Sequence, residues 1–183
     1  MKIETALLII PPLDIQAFAA PLRERFAEST FPLVPAHLTL MYPFVEMMKV
    51  PDAKAILREH CSTIPPFEIV LDRYNHFPRA LFLEPSDPDP IIHLYRCIAA
   101  GFPDCIAYGG EFGDDLHPHL TIAELAKDDD PGQLPLPAIP PLRFLVDRIY
   151  LYAGIAEDDR SGPIPFIPLS IIPLGDRHGI DAG

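Results

Sequence analysis

The sequence has no tryptophan, only three cysteines and only ten glycines among its 183 residues. Cys61, Cys97 and Cys105 are an odd number without CxxC spacing, which speaks against a disulfide framework and for a reducing compartment. Cationic side chains are also scarce. Fourteen Lys and Arg stand against 26 Asp and Glu, a net charge of −12. A non-specific grip on a DNA duplex, an RNA duplex or anionic lipid needs basic surface to displace counterions, so none of these is expected as a partner. A small phosphorylated ligand held in one local pocket remains compatible with that balance. Long apolar runs are missing too, because Pro, Asp or Arg interrupts every candidate for a membrane span. Residues 1–5 (MKIET) carry charge but lead into no signal-peptide pattern, so a cytoplasmic location is expected.

Proline is what the chain has in excess, 24 of 183 residues where roughly 5% is usual. The prolines separate apolar stretches instead of forming one tract, and so act as punctuation in a loop-rich domain. A composition 49% hydrophobic and 22% charged excludes wholesale disorder. Length and composition together predict a single domain over 1–183. The stretch 131–141 (PGQLPLPAIPP) is flanked by apolar strands on both sides and reads as a long loop within that domain.

Hydrophobic periodicity predicts the elements. Residues 4–10 (ETALLII) form a buried strand. Ile15, Phe18, Leu22 and Phe26 mark a helix that Pro21 should kink or divide. Residues 35–41 alternate as a strand, 52–61 form a short helix, and 66–74 alternate again. The order then returns: a strand at 80–84, a helix carrying Ile91, Leu94 and Ile98, and a strand at 118–123. Residues 143–153 read as one long strand. The last strand, 165–174, holds prolines that restrict it to an edge or a bulge.

Two copies of a strand–helix–strand unit are thus present, at about 4–44 and 78–124. Ala6-Leu7-Leu8-Ile9-Ile10-Pro11 matches Ala80-Leu81-Phe82-Leu83-Glu84-Pro85 at an offset of 74. His37-Leu38-Thr39-Leu40 matches His119-Leu120-Thr121-Ile122 at an offset of 82, and loops absorb the difference. Self-similarity of this kind implies two lobes related by a pseudo-twofold axis. Side chains alternate along a strand, so His37 and Thr39 share one face while Leu38 and Leu40 anchor the other; the same holds for His119 and Thr121. With seven His and five Thr, chance would supply only about 0.2 His-x-Thr triplets, and two occur at equivalent places. Two imidazoles and two hydroxyls should therefore converge on one cleft, a candidate acid, a candidate base and two neutral donors.

These paired elements, HLTLMYPF at 37–44 and PHLTIA at 118–123, resemble those of the 2H phosphoesterase superfamily, which includes 2′-5′ RNA ligases and 2′,3′-cyclic phosphodiesterases. The resemblance covers residues 6–174. It implies an α+β fold of two pseudo-symmetric lobes, with antiparallel-rich sheets facing a central cleft and helices outside. It carries catalytic roles to His37, Thr39, His119 and Thr121 alone. Many relatives place an Arg shortly after the second element, where this chain has Glu124. With the net charge, that departure favours a small phosphodiester or an RNA end over long RNA.

Hydrolysis of a cyclic phosphodiester needs one proton taken from water and one given to the leaving oxygen. Two histidines can serve both needs with no metal or other cofactor, and a bell-shaped pH profile is expected. The threonines would donate to the non-bridging oxygens. Run in reverse, the same site could join a 2′-hydroxyl to a cyclic phosphate. Tyr42 and Tyr152 are candidates for a base platform, and Arg148, on the strand face of Tyr150 and Tyr152, for a phosphate contact. Two rival readings remain. His117-x-His119, with Glu111, Asp114 or Asp115, could open a metal-dependent hydrolase site. Alternatively, the cleft could bind a nucleotide without turning it over.

Overall fold

The computed structural model describes residues 2–27, 33–105, 116–126, 130–156 and 165–175. The strands are β1 (Lys2–Ile9), β2 (Leu38–Met41), β3 (Phe67–Phe77), β4 (Ala80–Pro85), β5 (Leu120–Glu124), β6 (Leu142–Val146), β7 (Arg148–Ala156) and β8 (Ile167–Pro173). The helices are α1 (Leu13–Phe26), α2 (Val50–Ser62) and α3 (Asp89–Gly101). All eight strands join in one antiparallel sheet, in the order β6-β3-β4-β5-β2-β1-β7-β8. As its prolines require, β8 lies at an edge.

The stretch expected as one strand at 143–153 is two. Val146 pairs with Phe67 at one margin of the sheet, and Arg148 pairs with Pro173 at the other. Asp147 between them leaves the ladder and accepts a hydrogen bond from the Leu174 amide at 2.8 Å. In a flat sheet β6 and β7 would stand six strand spacings apart, about 29 Å, yet two peptide units reach only about 7.6 Å. The sheet must therefore curl to bring its β6 margin round to β7. The local alternation changes phase here: Leu142, Phe144 and Val146 are buried before Asp147, and Ile149 and Leu151 after it, so the adjacent polar pair Asp147-Arg148 shifts the buried set by one residue.

The strand pairings repeat at the offsets found in the sequence. In β1–β2, Ile9 faces Leu38, Leu8 faces Thr39 and Leu7 faces Met41, with a register irregularity between Leu7 and Leu8. In β4–β5, Leu83 faces Leu120, Phe82 faces Thr121 and Leu81 faces Ala123, with the irregularity between Leu81 and Phe82. Moving the first set by 74 on the outer strand and 82 on the inner strand reproduces the second. The two four-stranded halves meet at a single pair, Leu38↔Leu120, where the pseudo-twofold axis passes.

One face of the sheet carries the main core. Leu7, Ile9, Leu38, Leu40, Leu83, Leu120 and Ile122 meet Ile15, Ala19 and Leu22 of α1, Leu57 and Cys61 of α2, and Ile91, Leu94 and Ile98 of α3. Each such aliphatic contributes roughly 1.5–3 kcal/mol of burial. Of the two outcomes expected at Pro21, division into two helices does not occur: α1 is one helix from Leu13 to Phe26. Pro21 and Ala17, whose carbonyl loses its partner, are both exposed, so water takes the bond that proline cannot make. The other face is sparsely covered, by a small cluster of Ala6, Leu8 and Tyr152 with Val34, Tyr42, Tyr150 and Phe166 beside it. Residues 131–141 pack on the main core through Leu134, Leu136 and Ile139, and Tyr74 donates to the Pro137 carbonyl at 2.9 Å. Among the described residues no helix is long and apolar enough to cross a membrane.

Candidate active site

At the axis, the Leu38↔Leu120 pair sets the geometry. One residue to either side, the antiparallel register places His37 across from Thr121 and Thr39 across from His119. The leucines turn to the core, so all four polar side chains turn to the sparsely covered face. There they line a single cavity of about 310 Å³. Ala6, Leu8, Val34, Tyr42 and Phe166 supply its apolar walls, and Arg23 and Glu124 its charges.

The two histidines are anchored alike. His37 Nδ1 lies 2.8 Å from the Pro35 carbonyl, and His119 Nδ1 lies 2.7 Å from the His117 carbonyl. A carbonyl oxygen only accepts, so each Nδ1 holds a proton and donates it. Each Nε2 is then left as the atom that can take or give a proton in the cleft. Gln16 of α1 steadies the approach to His37. Its Oε1 accepts from the Ala36 amide at 2.9 Å, and its Nε2 donates to the Ala36 carbonyl at 2.7 Å.

Surroundings differ between the two. Burial pushes His37 down to about 4, and the Arg23 and His119 charges push the same way against the Pro35 bond. Burial also lowers His119, with His117 adding to it and the backbone bond opposing. The His119 ring packs edge-on against Phe77, 5.2 Å between centroids, and tilts over Phe82 at 5.1 Å. Phe82 holds the place that Leu8 holds in the first half, so the repeat keeps its backbone and varies its filling.

Among the other expected residues, Tyr42 lines the cavity and its hydroxyl donates to Glu4. Tyr152 is buried beneath the wall, against Ala6 and Leu8. Arg148 does not reach the cleft. Two hydrogen bonds of 2.7 and 2.8 Å hold it to Asp147, and with Tyr150 it lines a separate depression beside Pro11 and Pro12. The strand face is as expected, but the curl at Asp147 carries it elsewhere. His117, outside the cavity lining, sets its Nε2 2.9 Å from Glu84, a carboxylate already held by Arg73 and Asn75. No group of three His, Cys, Asp or Glu is placed to hold a metal among the described residues. Glu111, Asp114 and Asp115 lie outside them.

Sequence reasoning missed Arg23 and Phe166. Arg23 is 5% exposed, and its Nη2 donates to the Val34 carbonyl at 3.0 Å. Its signal was available: it continues the buried row Ile15–Ala19 by one more helical step of four. A cation on an apolar stripe needs an explanation. Phe166 has no local signal, lying far along the chain among prolines. It lies over β7 at Gly154, where a Cβ would come within 2.3 Å of the ring.

Comparison with known proteins agrees with this geometry. A protein of Geobacillus kaustophilus (strain HTA426), provisionally named a phosphoesterase, is 31% identical over 124 residues, spanning 63% of this chain and 66% of the relative. A provisionally named phosphoesterase of Geobacillus thermodenitrificans (strain NG80-2) is 26% identical over 120 residues, with the same coverage. The alignments thus span just under two thirds of these relatives. Escherichia coli LigT, in its crystal structure with 3′-AMP, superposes with a TM-score of 0.70 at 20% identity, over 93% of this chain and 97% of LigT. That likeness is one of fold. A family profile decides the matter, since its match over residues 11–156 takes in both His-x-Thr elements: the chain belongs to the 2′-5′ RNA ligase superfamily, the 2H phosphoesterases.

Proposed function

We propose that the protein is a metal-independent phosphodiesterase that opens a small cyclic phosphodiester, a 2′,3′-cyclic nucleotide or an RNA-end cyclic phosphate, by two-histidine acid–base catalysis. The observation that carries this reading is the matched anchoring of the two imidazoles, each with Nδ1 on the carbonyl two residues back. That arrangement leaves two Nε2 atoms for proton transfer in one cavity. His37 is the base: burial, Arg23 and His119 all favour its neutral form. It takes the proton of the attacking water, whose oxygen forms the new P–O bond. His119, entering protonated, gives its proton to the ribose oxygen as the old P–O bond breaks. The products are a phosphomonoester and a free hydroxyl, and the imidazoles have exchanged protonation states. Thr39 and Thr121 donate to the non-bridging oxygens, where charge is held in the transition state. With the 5′-hydroxyl of another RNA end in place of water, the same attack breaks the bond to the 3′ oxygen and joins the two ends through a 2′-5′ phosphodiester.

The cavity suits a ligand of nucleotide size, with Tyr42 and Phe166 as an apolar wall. Crystal structures of LigT with 3′-AMP, NADP+ and ATP support a nucleotide-like ligand. The test is incubation with each 2′,3′-cyclic nucleotide in excess EDTA, the products being resolved as 2′- or 3′-monophosphates. Turnover to one isomer is expected. Absence of turnover with all four nucleotides and with a cyclic-phosphate RNA end would overturn the reading.

A further inference from the structure

The cavity holds a cation that two-histidine chemistry does not employ. Arg23 is 5% exposed, and its guanidinium, with five N–H donors, makes one side-chain hydrogen bond among the described residues, to the Val34 carbonyl; no buried side-chain nitrogen is left unsatisfied there, so its remaining donors open on the cavity. Burying a charge with so few partners is costly, and such a charge persists where another partner shares the site. Arg23 lines the same cavity as His37, Thr39, His119 and Thr121. Its helix, α1, belongs to the first repeat but packs on β5 of the second, which brings Arg23 towards Glu124 at the end of that strand. The carboxylate thus stands just past the second His-x-Thr element, and the cation arrives from the opposite repeat.

We infer that Arg23 is the fixed phosphate-binding cation of the cleft, and that Glu124 is the counter-charge that an incoming phosphate displaces from it. The guanidinium fork matches two oxygens of one tetrahedral phosphate, which the neutral threonine hydroxyls cannot neutralise. Glu124 sets the ligand class. A ligand carrying one phosphate replaces the carboxylate's attraction with its own, whereas a second phosphate would lie against Glu124. The site therefore takes a single-phosphate ester in preference to a pyrophosphate. This rests on the proposed reading that the cleft holds a phosphoester, and it adds the residue that grips the phosphate and the residue that limits its charge.

The test is calorimetric binding of inorganic phosphate and of pyrophosphate, without metal, to the wild type, Arg23→Gln, Arg23→Lys and Glu124→Gln. Arg23→Gln should weaken phosphate binding about tenfold or more, with Arg23→Lys intermediate because it keeps charge without the fork. Glu124→Gln, at an exposed position, should tighten phosphate a few-fold and pyrophosphate more. The inference is overturned if folded Arg23→Gln binds phosphate as the wild type does, if Glu124→Gln leaves both anions unchanged or weaker, or if the wild type binds neither anion. Its failure can be told from failure of the functional reading. Cyclic-nucleotide turnover with Arg23-independent phosphate binding sinks the inference alone, and Arg23-dependent binding without turnover sinks the reading alone.

Discussion

At the scale of single residues, the site is governed by how two imidazoles are held. Anchoring Nδ1 on a carbonyl settles which nitrogen is active, and burial settles which charge state each free imidazole prefers. Both histidines are shifted towards the neutral form, His37 to about 4. The base must be neutral, so its limb of the kcat/KM profile rises through the low pKa of His37. The acid must be protonated, so activity falls again through the pKa of His119, itself below the ordinary 6.5. The kcat/KM profile, which reports the free enzyme, is therefore a bell with its maximum on the acid side of pH 6.5. A bound phosphate anion favours both protonated forms, so the kcat profile should be displaced to higher pH. Profiles of both parameters from pH 4 to 9 check this. Cys61 lies in the main core and outside the cavity lining, and burial, with Cys97 nearby, pushes its thiol up to about 12.

At the scale of elements, the strands beside His37 and His119 are short, Leu38–Met41 and Leu120–Glu124. β2 spans only Leu38–Met41, pairing with β1 at three positions and with β5 at one, and His37 precedes its first residue, so the backbone carrying His37 must be held from outside the ladder. Gln16 of α1 supplies that hold by closing both hydrogen bonds on Ala36. Gln16→Leu should leave the fold intact, lower kcat by about ten- to a hundredfold and change KM little, because misplacing a proton-transfer group costs rate more than binding. Gln16→Glu, which can still accept from the Ala36 amide, should recover part of the loss. Equal loss in kcat and thermal stability would mean that Gln16 serves the fold alone. Elements were also where the sequence was most legible. Period-two alternation located β2, β3 and β5, and the stripe Ile91-Leu94-Ile98 located α3. It failed at Asp147, where the buried positions change parity between Val146 and Ile149 and two strands were read as one.

Across the whole molecule, the repeat explains why four residues so far apart in sequence share one cavity. Duplicated pairings with duplicated irregularities place Leu38 against Leu120, and the His-x-Thr spacing of two does the rest. His37, Thr39, His119 and Thr121 were therefore readable from self-similarity. Arg23 and Phe166 were not read from it, because they belong to only one half and reach the cleft through the packing of α1 and the curl of the sheet. The same curl removes Arg148 to another depression. Symmetry thus brings the two histidines and two threonines to one cavity, and departures from symmetry bring Arg23 and Phe166 to its lining.

The central claim is the division of labour between the two histidines, and kcat/KM of His37→Ala and His119→Ala on two phosphodiesters tests it most directly. One substrate is a 2′,3′-cyclic nucleotide, whose alkoxide leaving group needs a proton. The other is bis-p-nitrophenyl phosphate, whose leaving group does not. The account predicts losses of about 10²–10⁴ for both variants on the cyclic nucleotide, and on the activated diester near-normal activity for His119→Ala but not for His37→Ala. Both variants retaining wild-type turnover of the cyclic nucleotide would contradict it.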